Sequence, residues 1–288
     1  MFNCIKAVNC IKAARSIKTV TSRCKYSFAV VAILLFFVMV PGPASAGWIS
    51  FNAAPVNEPG STSIRGLVSK PEGDGPFPAV IIAHGCFGVE PNQHIWAQRL
   101  NDWGYVAIIV DSFSSRGVST VCESPNQVSP ETRACDIYGA AAYLRKQSFV
   151  RPQKIGMIGF SHGGWTALYV AQDYLPEQAA EEPIQAIVSY YPWCESSSLK
   201  TTVSPLLILS GKADDWTPVK RCYAYIDAQD RGHSKHISLQ VFDKAYHGFD
   251  DSSMIPPVIY KGYTIAYDQS AAEASIIAVK AFLEHHLN

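Results

Sequence analysis

Lys154-Ile-Gly-Met-Ile-Gly159-Phe-Ser161-His-Gly163-Gly-Trp-Thr-Ala-Leu168 reads as an apolar strand, a sharp turn and the start of a helix, with a serine at the apex. The glycines two before and two after Ser161 suit a turn whose backbone packs against neighbouring elements, where a larger side chain would clash. A serine in that position is held in a strained conformation with its hydroxyl projecting outward. The pattern therefore predicts a nucleophilic serine.

Working outward, residues 79–85 and 105–111 are continuous apolar runs, as expected of strands covered on both faces. Further strands are expected at 62–69, 184–190, 205–210 and 237–242. Helical spacing over 94–103 stops at Gly104, and an alanine-rich helix is expected over 131–147. Another helix follows Ser161 to about 175, and Asp268 caps a last one that runs to about 286. Strands alternating with helices predict one α/β domain over residues 47–288, with a mostly parallel sheet and helices on both faces. The short connection after the serine's helix leaves little room for a lid domain.

A serine hydroxyl is a poor nucleophile until a histidine takes its proton and an acid orients that histidine. On this kind of sheet the acid and then the base follow the serine, on loops at the carboxyl ends of later strands. Of the five histidines beyond residue 212, His285 and His286 fall in the last turn of the final helix, and His233 and His236 precede a strand. His247 follows the strand 237–242 and sits beside Gly248, so it is the expected base. Asp173, Asp227 and Asp230 fall in helical stretches, and Asp243 is too close in sequence to His247. Asp214 and Asp215 both follow the strand 205–210 directly, and spacing leaves both open.

The oxyanion of an acyl-transfer intermediate needs backbone N–H donors. His162, next after the serine, supplies one, and Cys86 within His84-Gly85-Cys86-Phe87-Gly88 supplies the other. The side chains of His84 and His162 read as structural or pocket-shaping, and Cys86 lacks the turn that would make it a nucleophile.

The first 46 residues differ in kind. They hold six basic and no acidic residues, an apolar run of 13 (28–40) and an Ala44-x-Ala46 site, the pattern of a cleaved secretory signal peptide. Export to the periplasm or medium is expected, with no stable membrane span after cleavage near Ala46. The alternatives are an uncleaved membrane anchor and a transit peptide. All 24 acidic residues but only 18 of the 24 basic ones lie beyond the leader, so the remainder carries a formal charge of −6. That balance argues against nucleic acid and anionic membrane surfaces as partners. Of the five cysteines past the leader none forms Cys-x-x-Cys, which argues against zinc. In an oxidising compartment the expected disulfides are Cys122–Cys135 and Cys194–Cys222.

Six stretches, His84-Gly-Cys-Phe-Gly88, Asp111-Ser-Phe-Ser-Ser-Arg116-Gly117, Gly159-Phe-Ser161-His-Gly-Gly164, Tyr191-Pro-Trp-Cys194, Gly211-Lys-Ala-Asp214-Asp215-Trp-Thr-Pro218 and Tyr246-His247-Gly-Phe249, together resemble the dienelactone hydrolase family of the α/β-hydrolase superfamily. The resemblance implies the α/β-hydrolase fold and hydrolysis of a small-molecule carboxylic ester or lactone through an acyl-enzyme, with no cofactor and no metal. The superfamily's acid loop looks like Gly-x-x-Asp-x-x-x-Pro, which here selects Asp214, with Asp215 as the alternative. The family's namesake uses a cysteine nucleophile in the cytoplasm; here Ser161 takes that place behind an export leader. The implied site is Ser161, Asp214 and His247, with the amides of Cys86 and His162. Phe87, Arg116, Trp193 and Trp216 are its expected pocket residues, and the segment 252–264 an expected wall. For Arg116 a structural salt bridge is favoured over contact with an anionic substrate group. A peptidase or acyltransferase on the same fold, or a binding protein that kept it, are the rival functions.

Overall fold

The apolar runs become the interior of an eight-stranded sheet. Its order is β1 (Ala46–Asn52), β2 (Ser63–Ser69), β4 (Val106–Asp111), β3 (Phe77–Ala83), β5 (Val150–Phe160), β6 (Ala186–Tyr190), β7 (Leu206–Gly211) and β8 (Ile237–Phe242). The computed structural model describes residues 46–54, 61–172, 183–195, 201–229 and 236–288. The expected leader up to residue 45, together with Asp173, Asp230 and His233, lies outside them. β1 and β2 pair antiparallel, as do β2 and β4, and the other neighbours are parallel.

Parallel neighbours need crossovers, and the helices that supply them cover both faces. On one face Trp96 and Leu100 of α1 (Pro91–Asp102) and Val279 and Leu283 of α5 (Gln269–Leu287) pack with Val80, Ile82 and Ile109. On the other, Ile137 of α2 (Pro130–Arg145), Leu168 of α3 (His162–Val170) and Tyr225 of α4 (Lys220–Ala228) pack with Ile81, Ile108 and Met157. Ile81 and Ile82 thus serve opposite cores, the two-residue period of a strand buried on both sides. Asp268 caps α5 as expected, its carboxylate accepting the Ala271 amide at 2.9 Å.

Three local features depart from the sequence reading. The edge strand β1 was not expected. α3 stops at Val170 rather than near 175, because Gln172 leaves the helix to bridge Thr202. The segment 252–264 carries a hairpin, β9 (Val258–Tyr260) and β10 (Tyr263–Ile265). Its two-residue loop, Lys261 and Gly262, has φ of 53° and 90°, the handedness that matches strand twist in a tight hairpin. No helix among the described residues is long and apolar enough to cross a membrane.

Candidate active site

Cys86, Ser161, Asp214 and His247 follow β3, β5, β7 and β8, so the parallel part of the sheet delivers all four to its carboxyl-terminal edge. The serine turn is built as its sequence requires. Ser161 has φ 53° and ψ −110°, a strained conformation for a residue with a side chain. Its amide donates to the Tyr190 carbonyl at 3.0 Å, and its own carbonyl accepts from Trp165 N–H at 2.8 Å. A β-carbon at Gly159 would run into the Gly163 carbonyl, and one at Gly163 into the Ala83 carbonyl, so only glycine lets the turn seat between β3 and β5.

The structure brings Ser161, His247 and Asp214 together. His247 Nε2 lies 2.9 Å from Ser161 Oγ, and Nδ1 lies 2.9 Å from Asp214 Oδ2. Asp214 is buried, and its Oδ1 accepts the amides of Trp216 and Thr217 at 2.9 and 2.8 Å. The Thr217 hydroxyl lies within 2.8 Å of Oδ2 and 3.0 Å of the Tyr191 carbonyl. Burial pushes the Asp214 carboxyl up, but the charge and hydrogen bond of His247 and the bonds from Thr217 outweigh it, and the pKa is lowered. Asp215 points elsewhere: it accepts Thr264 N–H at 2.9 Å and lies 3.1 Å from the Thr264 hydroxyl, tying the β9–β10 hairpin to this loop. The Trp216 and Tyr191 rings flank the imidazole at centroid distances of 4.9 and 4.7 Å.

The amide of His162 opens α3, where helix geometry leaves the first N–H groups without an intrahelical acceptor. Cys86 follows Gly85, whose added β-carbon would sit 3.8 Å from Ser161 Cβ, so the loop after β3 lies against the serine turn. Two clefts open at this point. Phe87 lines the smaller, Trp193 the larger, and Trp216 both.

A model of the dienelactone hydrolase family matches residues 64–287. The chain belongs to the dienelactone hydrolase family. It is thus a hydrolase with the α/β-hydrolase fold. A candidate carboxymethylenebutenolidase of Synechocystis sp. is 27% identical over 113 residues, 35% of this chain and 46% of that protein, so the match spans less than half of that relative. A probable 2-oxo-3-(5-oxofuran-2-ylidene)propanoate lactonase of Bradyrhizobium sp is 23% identical over 232 residues, 76% of this chain and 88% of that protein. A dienelactone hydrolase-like promiscuous phosphotriesterase from metagenomic libraries shares the fold with a TM-score of 0.66 at 21% identity, covering 85% of this chain and 100% of that one.

Two expectations about this dienelactone hydrolase family member are corrected. Arg116 is not a pocket residue. Its guanidinium makes the structural salt bridge instead, a two-pronged pair with buried Asp136 at 2.9 and 2.8 Å, and donates to the Ser112 carbonyl. Cys122 bonds Cys86, not Cys135, while Cys194–Cys222 forms as expected. The loop after β4 folds back over the β3 exit, where Val121 N–H reaches the Cys86 carbonyl at 2.9 Å. Cys135, carried on α2, is left as a free thiol, so closeness in sequence lost to the path of the loop.

Arg133 was missed, because an arginine on a mostly apolar helix gives no sign of what it meets. It is fully buried on α2 and donates to the His84 carbonyl at 2.8 Å and to His162 Nδ1 at 2.7 Å. Burial lowers its pKa to about 9, with Asp136 opposing, so it stays charged at neutral pH. His84 is fully buried as well, and its Nε2 accepts the Ser112 amide at 3.3 Å. Burial and then Arg133 depress both histidines, His162 to about 3 and His84 well below its ordinary value. Both are neutral scaffolding, as their sequence positions suggest.

Proposed function

We propose that this hydrolase is an exported serine enzyme that cleaves carboxylic esters or lactones through an acyl-enzyme. The observation that carries this reading is the continuous path from Ser161 Oγ through His247 to the buried Asp214, each step 2.9 Å long. Ser161 Oγ bonds to the acyl carbon while its proton passes to His247 Nε2, and the carbonyl oxygen takes the electron pair. Asp214 holds Nδ1–H and stabilises the imidazolium. The amides of Cys86 and His162 face that oxygen, and the positive end of α3 adds to them. Collapse breaks the bond to the alcohol, which leaves with the proton from Nε2. Water then adds to the acyl carbon, gives its proton to His247, and releases the acid as Oγ recovers the proton. No cofactor enters either step.

Export is supported by the basic leader with its apolar run and by two disulfides, which persist in oxidising compartments. Cleavage after Ala46 would leave Gly47 as first residue, at the beginning of β1. The decisive test is Ser161→Ala. It should abolish both hydrolysis of a small p-nitrophenyl ester and labelling by a fluorophosphonate, and labelling that persists sinks the assignment. An intact mass starting at Gly47 checks the processing.

A further inference from the structure

Two clefts of unequal size meet at Ser161. The smaller, about 50 Å³, is bordered by His247, Gly248, Met254 and Ile265. The larger, about 390 Å³, is bordered by His162, Trp165, Trp193 and Tyr263. Cys86, Ser161 and Trp216 border both. At roughly 10–15 Å³ of such space per water-sized atom the small cleft has room for a group of about three to five heavy atoms. The large one falls within the about 300–1,000 Å³ of ordinary ligand pockets.

The reaction decides which end of an ester enters which cleft. The leaving oxygen must come within hydrogen-bond reach of His247 Nε2, because that nitrogen gives it the proton. The carbonyl oxygen must face the amides of Cys86 and His162. His247 and Gly248 border the small cleft and not the large one, so the carbon chain of the alcohol runs into the small cleft. The acyl chain leaves the carbonyl carbon on the opposite side, past His162 and between the rings of the large cleft. Trp193 is held there by the Arg221 guanidinium stacked 3.6 Å from its centroid.

Charge narrows the choice further. Among the described residues no lysine or arginine borders the small cleft, whereas Glu90 and Asp251 do. An anionic alcohol end would meet these two carboxylates.

We propose that the substrates are esters of short, uncharged alcohols with a bulky, flat acyl group that lies among Trp165, Trp193 and Tyr263. This rests on Ser161 as the acylated nucleophile. The test compares methyl phenylacetate with benzyl acetate, isomers that exchange the large and small ends and release alcohols of similar acidity. Methyl phenylacetate should be favoured at least about tenfold in kcat/KM, since misfit by even one methylene is worth roughly 10–200-fold. Met254→Ala, which widens the small cleft, should shrink that ratio. Equal or reversed rates, or a ratio unmoved by a folded Met254→Ala, overturn the inference while leaving the serine-esterase reading intact. If neither ester is cleaved and no fluorophosphonate labels Ser161, both fall. The wild-type ratio decides the matter even if the variant fails to fold.

Discussion

Arg133 Nη1 lies 2.7 Å from His162 Nδ1, so that nitrogen accepts and the ring keeps its proton on Nε2, which donates to the Pro125 carbonyl at 2.8 Å. The same guanidinium holds the His84 carbonyl. One buried cation therefore braces both segments whose amides are proposed to receive the oxyanion. Arg133→Gln should lower kcat about 10–100-fold with KM nearly unchanged, because those amides bind mainly in the transition state. Arg133→Lys should recover part of the loss. Steady-state kinetics on one ester separates this from mere destabilisation, which lowers the active fraction and is read by active-site titration.

The two disulfides should differ in what they control. Cys86–Cys122 ties the loop after β3 to the loop that borders the large cleft, and Cys194–Cys222 lies in the core. Cys122→Ser should lower kcat about tenfold, an effect reproduced by mild reduction of the wild type. Both Cys122→Ser and Cys222→Ser should lower Tm, since closing loops of 36 and 28 residues is worth about 3–4 kcal/mol each, but Cys222→Ser should leave kcat nearly unchanged. Kinetics and melting of both variants check the division.

Asp214→Asn should cost about 10⁴-fold in kcat, because the amide no longer fixes the imidazole tautomer. Asp215→Asn should cost less than about threefold, since it faces Thr264 and not His247. Comparable losses in the two variants would remove Asp214 from the proposed relay.

His162 should make the fold acid-sensitive. Its pKa is lowered from 6.5 to about 3 by burial and Arg133, so the folded ring stays neutral while the unfolded one binds a proton. Stability is thus complete above pH about 6.5 and declines as pH falls toward 3, by about 2 kcal/mol at pH 5. His84 acts in the same direction. His162→Gln loses hydrogen bonds but also this acid penalty, so its Tm deficit against the wild type should narrow between pH 7 and 5. A constant deficit, measured by thermal melts at both values, would contradict the shift.

Much of the site was legible because its chemistry rides on local pattern. Glycine on either side of Ser161 records where backbone meets backbone, and apolar runs followed by Asp214 or His247 record strands that end at one edge of a parallel sheet. The partners of Arg133, and Asp136 as the partner of the salt bridge expected for Arg116, were not legible, since a charged residue does not reveal what lies across from it.

The sequence by itself determined the strand order of the chemistry, the serine turn and the family, because periodicity, glycine placement and chain order act over a few residues or along one direction. Only the tertiary structure decided that Asp214 turns toward His247 while Asp215 turns to the β9–β10 hairpin, since adjacent side chains diverge and the fold selects between them. It also decided that Cys122 meets Cys86, and that unequal clefts open beside Ser161. Those outcomes depend on where distant loops return in space, and no local pattern carries that information.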